Sequence, residues 1–107
     1  MSRLARFQIR FAPEVVEHLD VIDRRYHHLI EKTLDERLLY APDHETRNRK
    51  PVEQPAPFDA TWELRFGPGN CFRVFYEIDD AARVVWILAI GIKERHRLLI
   101  GGEEFGL

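Results

Sequence analysis

Alternating apolar and polar positions between residues 60 and 100 predict three consecutive β-strands. The segment from Trp62 to Phe66 places apolar residues at every second position, the pattern of a half-buried strand. The segment from Cys71 to Ile78 repeats this period after a glycine- and proline-containing turn. The third segment, Val84 to Ile90, is apolar throughout, which is typical of a strand covered on both faces. We therefore expect it at the centre of the sheet, with Trp86 buried.

Residues 13 to 40 carry apolar positions at three- and four-residue spacing, which predicts amphipathic helix. Pro13 suits the start of a helix, because its missing N–H is not needed there. One unbroken helix of this length would measure ~42 Å at 1.5 Å per residue, longer than a small domain. We therefore favour a hairpin of two helices with Asp23 as the N-cap of the second. A single bent helix is the alternative.

The helices lie between a first strand and a long loop. Residues Leu4 to Phe11 alternate and predict the strand, whereas Asp43 to Asp59 contains several prolines and no periodic pattern. Long loops in small domains often have a function. The element order is β-α-α-β-β-β. It predicts an α+β fold in which a helical hairpin packs on one face of an antiparallel four-stranded sheet.

Composition indicates a single folded domain over residues 1–107. The 107 residues are enough for one modest core but too few for two, and a hydrophobic fraction of 45% indicates a folded chain. The lone Cys71 excludes an intramolecular disulfide and favours a reducing compartment. No apolar run approaches the ~20 residues of a membrane-spanning helix, and no cluster has metal-ligand spacing. We therefore expect a cytoplasmic protein with no membrane association, no metal and no other cofactor.

The charges are nearly balanced, so any site for a polyanion must be local. Sixteen Lys and Arg against eighteen Asp and Glu give a net charge of −2. Basic residues are grouped in the long loop and again after the third apolar segment. An ordinary solvated surface is the alternative for both groups. The loop group is Arg47, Arg49 and Lys50, and the later group is Lys93, Arg95 and Arg97.

The chain resembles the RelE/ParE superfamily of toxins from type II toxin–antitoxin pairs. The resemblance rests on the element order and on the segments TRNRKP, WELRFGPGNCFRVFYEID and VVWILAIGIKERHRL. It covers nearly the whole chain and implies a small α+β toxin that an antitoxin holds inactive. RelE-like members bind the ribosomal A site and cut mRNA there. ParE-like members inhibit DNA gyrase without being nucleases.

Two residues match positions that the superfamily uses. Arg73 matches an arginine that binds phosphate in RelE-like nucleases, and Lys93 resembles the basic residue that follows the glycine after the last strand. Other positions differ from the RelE-like pattern. The paired lysines of RelE-like toxins fall on Thr61 and Glu63, and the tyrosine near their C-terminus falls close to Leu99. The resemblance therefore implies the fold more directly than it implies RelE-like chemistry.

Metal-independent cleavage of RNA needs a base, an acid and a cation that stabilises the phosphorane. His96 can transfer a proton near neutral pH, and antiparallel strands bring Arg73 and Lys93 to the same edge. We expect catalytic roles for these three residues. The alternatives are an ion pair of Arg73 with Glu63 or Glu77 and a surface location for His96. RNA or antitoxin binding is expected for Arg47, Arg49, Lys50, Arg65, Arg95 and Arg97.

Two functions are compatible with the sequence. The first is a RelE-like, ribosome-dependent mRNA endoribonuclease that inhibits translation, with an antitoxin, the ribosome and mRNA as partners. The second is a non-nuclease binding protein, either a ParE-like DNA gyrase inhibitor or a toxin-derived module without cleavage activity. The group Arg73, Lys93 and His96 favours the first. The missing lysines and tyrosine favour the second.

Overall fold

The structure, a computed structural model, describes residues 6–106. Within these residues the chain forms two α-helices and a seven-stranded sheet. The predicted start of the first strand at Leu4 lies outside the described residues. The helices are α1 (Val15–Asp20) and α2 (His27–Leu38). The strands are β1 (Gln8–Phe11), β2 (Arg49–Pro51), β3 (Trp62–Phe66), β4 (Phe72–Asp79), β5 (Val84–Glu94), β6 (Arg97–Ile100) and β7 (Glu103–Glu104).

The strand order is β2-β3-β4-β5-β6-β7, and neighbours in this order are antiparallel. β1 lies beside the first part of β5, Val84–Ile87, and is parallel to it, whereas β6 pairs with the last part, Gly91–Glu94. The predicted α+β class and the central position of β5 are confirmed. The sheet has three strands more than the four predicted, namely β2, β6 and β7. These strands have only two to four residues each, too few to show a clear alternating pattern in the sequence. The parallel pairing of β1 also departs from the prediction.

The helical region is divided into two α-helices, as predicted, rather than forming one bent helix. α1 ends at Asp20, a 3₁₀ turn follows at Arg24–Tyr26, and α2 begins at His27. Asp23 caps this turn instead of α2, since its carboxylate accepts the backbone N–H of Arg25 at 3.0 Å. Neither α-helix in the described part of the chain is long and apolar enough to cross a membrane.

The main hydrophobic core lies between the helices and one face of the sheet. Leu34 and Leu38 of α2 are fully buried there, together with Val74, Tyr76 and Val85 of the sheet. Alternate positions along β4 supply the sheet side of this core, as the period of two predicts. The core therefore fixes which face of the sheet is free for other contacts.

The other face of the sheet carries only a small apolar cluster, which includes the buried Phe75 and Ala89. Trp86 lies on this face opposite Glu77 and is half-buried. The expectation that both faces of β5 are fully covered, with Trp86 in the core, is therefore wrong. The physical reason is that the two α-helices pack on the opposite face.

A bulge in β5 determines which of its side chains face the helices. Phe75 of β4 lies opposite Ala89, but the next residue, Tyr76, lies opposite Ile87. Leu88 is therefore an extra residue in β5, and the alternation of side chains is reversed after it. This reversal interrupts the period of two, and the apolar Trp86 and Leu88 on the open face remove the remaining contrast between the two faces.

A buried histidine of α1 bonds to β5 just after the bulge. His18 is 4% exposed, and its Nδ1 accepts the backbone N–H of Ile90 at 3.2 Å. This N–H lies in the interval between the segments of β5 that pair with β1 and with β6. Burial lowers the pKa of His18, although Glu14 and Glu17 act in the opposite direction. Only the neutral ring can accept this hydrogen bond.

We predict that His18 makes the stability of the fold depend on pH. Its pKa is lower in the folded chain, so the unfolded chain binds a proton more readily. The stabilising contribution of His18 should therefore be fully present above about pH 6.5. The free energy of unfolding should decrease as the pH falls below that value. Urea unfolding between about pH 5 and pH 8 measures this slope. His18→Gln should flatten it, whereas the exposed His28→Gln should not. Equal slopes for His18→Gln and the wild type would contradict the assignment.

Candidate functional site

The face of the sheet away from the helices contains a cleft of about 550 Å³. Its volume lies within the usual range for ligand sites. Four predicted site residues line it: Arg65, Arg73, Lys93 and His96. The sequence prediction that these side chains converge is therefore correct in its geometry. The remaining lining residues are Val52, Glu53, Pro55, Ala56, Pro57, Glu63, Phe75, Leu98, Glu104, Phe105 and Gly106.

Strand register places the cations of the cleft on one face. Arg65 of β3 lies opposite Arg73 of β4, and Arg73 lies opposite Gly91 of β5. Lys93 follows Gly91 by two residues and therefore shares its face. The backbone N–H of Lys93 donates to Cys71 O at 2.7 Å, which holds the end of β5 against the start of β4. The bulge is essential here, because an uninterrupted alternation would turn Lys93 toward the helices.

A buried carboxylate joins the two arginines. Glu63 of β3 has a side chain that is 10% exposed, and its Oε1 lies 2.9 Å from Arg65 Nε. Its Oε2 lies 3.4 Å from Arg73 Nη1, and Arg73 Nε donates to Asn70 O at 3.0 Å. The side chain of Arg73 is 12% exposed. The ion pair considered as a structural alternative for Arg73 is therefore present.

The cleft is not a uniformly positive surface. Glu53, Glu63 and Glu104 line it together with the three permanent cations, so its formal charges are balanced when His96 is neutral. A phosphate group would therefore be held by directed N–H donors more than by the long-range field. Sequence reasoning did not place Glu53 and Glu104 here, since one lies in the long loop and the other in the C-terminal strand β7.

His96 occupies a two-residue turn between β5 and β6. The preceding residue, Arg95, has a φ of 56°, a left-handed conformation that costs a non-glycine residue on the order of 1 kcal/mol. The turn places the exposed His96 at the edge of the cleft. The sequence pattern predicts the basic group after the end of the third strand. Instead, β5 continues to Glu94 and β6 begins at Arg97, so Lys93 and Arg97 lie within strands. Arg97 shares a face with Glu94, opposite to that of Lys93, and so lies outside the cleft.

The basic residues of the long loop, Arg47, Arg49 and Lys50, do not form one exposed surface. Arg49 is buried, and its guanidinium donates to the backbone carbonyls of His44, at 2.6 Å, and Arg37 at the end of α2. This placement disfavours the predicted binding of RNA or antitoxin by Arg49, since its donors are engaged by the loop carbonyl of His44 and by that of Arg37, which the end of α2 leaves unpaired. Arg47 and Lys50 are exposed, and Lys50 lies opposite Glu63 in the strand pairing. Their binding roles stay predictions.

Metal-ligating residues do not cluster in the part of the chain that the structure describes. Across residues 6–106, no three His, Cys, Asp or Glu side chains are arranged so that they could hold a metal ion. Cys71 is half-buried, and burial raises the pKa of its thiol. The charged and titratable side chains that line the cleft carry guanidinium, ammonium, imidazole and carboxylate groups.

Comparisons with known proteins agree with this fold. The family model described as the ParE toxin of the type II toxin–antitoxin system parDE matches residues 9–97. No curated protein matches the chain. A similar solved structure is the toxin–antitoxin complex RelBE2 from Mycobacterium tuberculosis, with 22% sequence identity and a TM-score of 0.62. The match covers 82% of this chain and 99% of that chain. At this identity the likeness concerns the fold alone.

We predict that Arg49 acts on stability rather than on ligands. Arg49→Ala leaves the carbonyls of His44 and Arg37 without their donor, which should lower the free energy of unfolding by about 1–3 kcal/mol. Arg47→Ala, in the same loop but exposed, should change it by less than about 0.5 kcal/mol. Urea denaturation of the two variants measures the difference. Equal stabilities would show that the buried guanidinium contributes nothing.

Proposed function

The chain belongs to the ParE toxin family of type II toxin–antitoxin systems, and we propose that it inhibits growth as an endoribonuclease that cleaves mRNA on the ribosome. The observation that supports this proposal is the position of Arg73, Lys93 and His96 around one cleft. These side chains supply the cations and the proton-transfer group that cleavage of RNA requires. The superfamily resemblance suggests the ribosome as the place where mRNA is presented.

The proposed reaction is an attack of the ribose 2′-hydroxyl on the adjacent phosphate. A general base accepts the proton of the hydroxyl, the new P–O bond forms as the P–O5′ bond breaks, and the 5′-oxygen leaves with a proton from a general acid. The products are a 2′,3′-cyclic phosphate and a 5′-hydroxyl. Arg73 and Lys93 stabilise the negative charge of the phosphorane, and His96 transfers a proton at the edge of the cleft. General acid–base catalysis of this kind typically contributes ~10²–10⁴-fold.

A second candidate function is inhibition of DNA gyrase without RNA cleavage. The ion pair with Glu63 favours this alternative, because it neutralises part of the charge that Arg73 would offer to a phosphate. Glu63 also stands where RelE-like toxins carry a lysine. In this case the cleft would be a polar contact surface for a protein. The two candidates share the toxin fold and differ in whether RNA is cut.

We propose that the partner antitoxin covers an apolar groove between β1 and α2. The groove has a volume of about 340 Å³ and includes Ile9, Phe11, Ile30 and Leu34 among its lining residues. Phe11 is 48% exposed, although it is large and apolar. β1 pairs with β5 on one side, and among the described strands no other strand joins it. An extended antitoxin segment can pair with such an edge while apolar side chains enter the groove.

We predict that Arg73→Ala and His96→Gln reduce mRNA cleavage by at least about 100-fold. Ribosome binding should persist, since most of the surface is unchanged. Primer extension on mRNA bound to purified ribosomes measures cleavage, and sedimentation measures binding. His28→Gln, an exposed histidine on α2, is the matched control for His96. Growth arrest with intact mRNA and inhibited gyrase supercoiling would replace this proposal with the second candidate.

We predict that Phe11→Ser weakens antitoxin binding by at least about 10-fold, equivalent to about 1.4 kcal/mol. The expected loss comes from apolar contact area in the groove. Val16→Ser is the matched control, because Val16 is 64% exposed on α1 and does not line the groove. Titration calorimetry with the antitoxin encoded beside the toxin measures both affinities. Equal affinities of the two variants would place the antitoxin elsewhere.

A further inference from the structure

Glu63 is a buried carboxylate in the floor of the cleft, and the proposed reaction assigns it no chemical step. Its two oxygens contact two different guanidiniums, those of Arg65 and Arg73. The side chain is 10% exposed, although a carboxylate is strongly hydrated in water. Such a group is retained in a cleft only if its contacts offset the loss of hydration.

The strand pairing gives a physical reason for a carboxylate between the two arginines. Arg65 and Arg73 lie directly opposite each other on adjacent strands, so their like charges repel. Glu63 precedes Arg65 by two residues and shares its face of the sheet. Its carboxylate therefore separates the charges and holds the two side chains in one arrangement.

The bridge leaves most guanidinium donors available. A guanidinium has five N–H donors. Among the described residues, Arg73 uses one for Glu63 and one for Asn70 O, and Arg65 uses its Nε–H for Glu63. The remaining donors belong to nitrogens on two side chains that line the same cleft. Two guanidiniums held in this way can contact one phosphate from two directions.

We propose that Glu63 is a positioning residue, whose carboxylate fixes the guanidiniums of Arg65 and Arg73 so that both contact the same RNA phosphate. The inference rests on the proposed ribonuclease function, since it assigns the orientation of that site. Glu63 touches neither the attacking oxygen nor the leaving oxygen in this account. Its contribution is the alignment of donors before the phosphorane forms.

A stabilising role alone does not explain this arrangement. Exposed ion pairs contribute about 0–1 kcal/mol, and a buried pair loses much of its attraction to desolvation. Glu77 of β4 is a contrasting carboxylate on the same face of the sheet. It lies opposite Trp86 and is exposed, whereas Glu63 is buried. Burial of Glu63 and Arg73 side by side therefore serves the geometry of the cleft rather than the stability of the sheet.

The test compares Glu63→Gln with Glu77→Gln, which make the same change of charge on the same face. The amide of Glu63→Gln accepts from one arginine but presents N–H donors to the other, so the alignment is lost. We expect kcat for ribosome-bound mRNA to fall about 10- to 100-fold. The Kd for mRNA with a 2′-deoxy nucleotide at the cleavage site should stay within about threefold or become tighter, because the variant gains positive charge. Glu77→Gln should match the wild type, and Glu63→Asp should recover part of kcat.

Two outcomes of the kinetic comparison overturn the inference. One is an unchanged kcat in a folded Glu63→Gln protein. The other is loss of the acidic limb of the pH–rate profile in Glu63→Gln, which would make Glu63 a general base. If the wild type does not cleave RNA, the proposed function fails, and the Nε–H NMR signals of Arg65 and Arg73 still test the inference. Both signals should shift on addition of the uncleavable mRNA fragment in the wild type and not in Glu63→Gln. Equal shifts in both proteins would contradict the positioning role.

Discussion

The pairing of β4 with β5, including its bulge, is the constraint on which the fold and the cleft depend. On the helix side, the bulge at Leu88 lets Ile87 and Ile90 both pack into the core. On the open side, it brings Lys93 onto the face that carries Arg73. A single extra residue therefore reconciles a continuous apolar core with a polar cleft at the end of the same strand.

Local geometry explains how much of this could be predicted from the sequence. The turns between consecutive antiparallel strands are short, so neighbouring strand ends must meet. That connectivity predicts that Arg73, Lys93 and His96 lie at the same end of the sheet, whereas the face on which Lys93 lies depends on the bulge. The parallel pairing of β1 could not be predicted either, because it depends on how the helices cross the sheet. The missing alternation in β5 can be explained by burial on both faces or by a bulge. Only the register with the neighbouring strand β4 distinguishes these two explanations.

Tertiary contacts explain where the structure departs from the sequence reasoning. Arg49 is a basic loop residue in the sequence, but folding brings it to the end of α2, where the carbonyl of Arg37 lacks a helical donor. Trp86 is apolar in a central strand, yet it lies on the face that the helices do not cover. Glu63 was considered only as a simple ion-pair partner. Its role as a bridge required the register that places Arg65 opposite Arg73.

The central proposal is that the charge-balanced cleft of this ParE-family toxin cuts RNA. Its donors are fixed by a carboxylate rather than concentrated in a basic surface, which suits a reaction that depends on alignment. Mapping of 5′-hydroxyl ends of cellular mRNA after induction of the toxin tests this most directly. The account predicts new ends within translated reading frames before growth stops. Growth arrest with full-length mRNA and no new 5′-hydroxyl ends would contradict it.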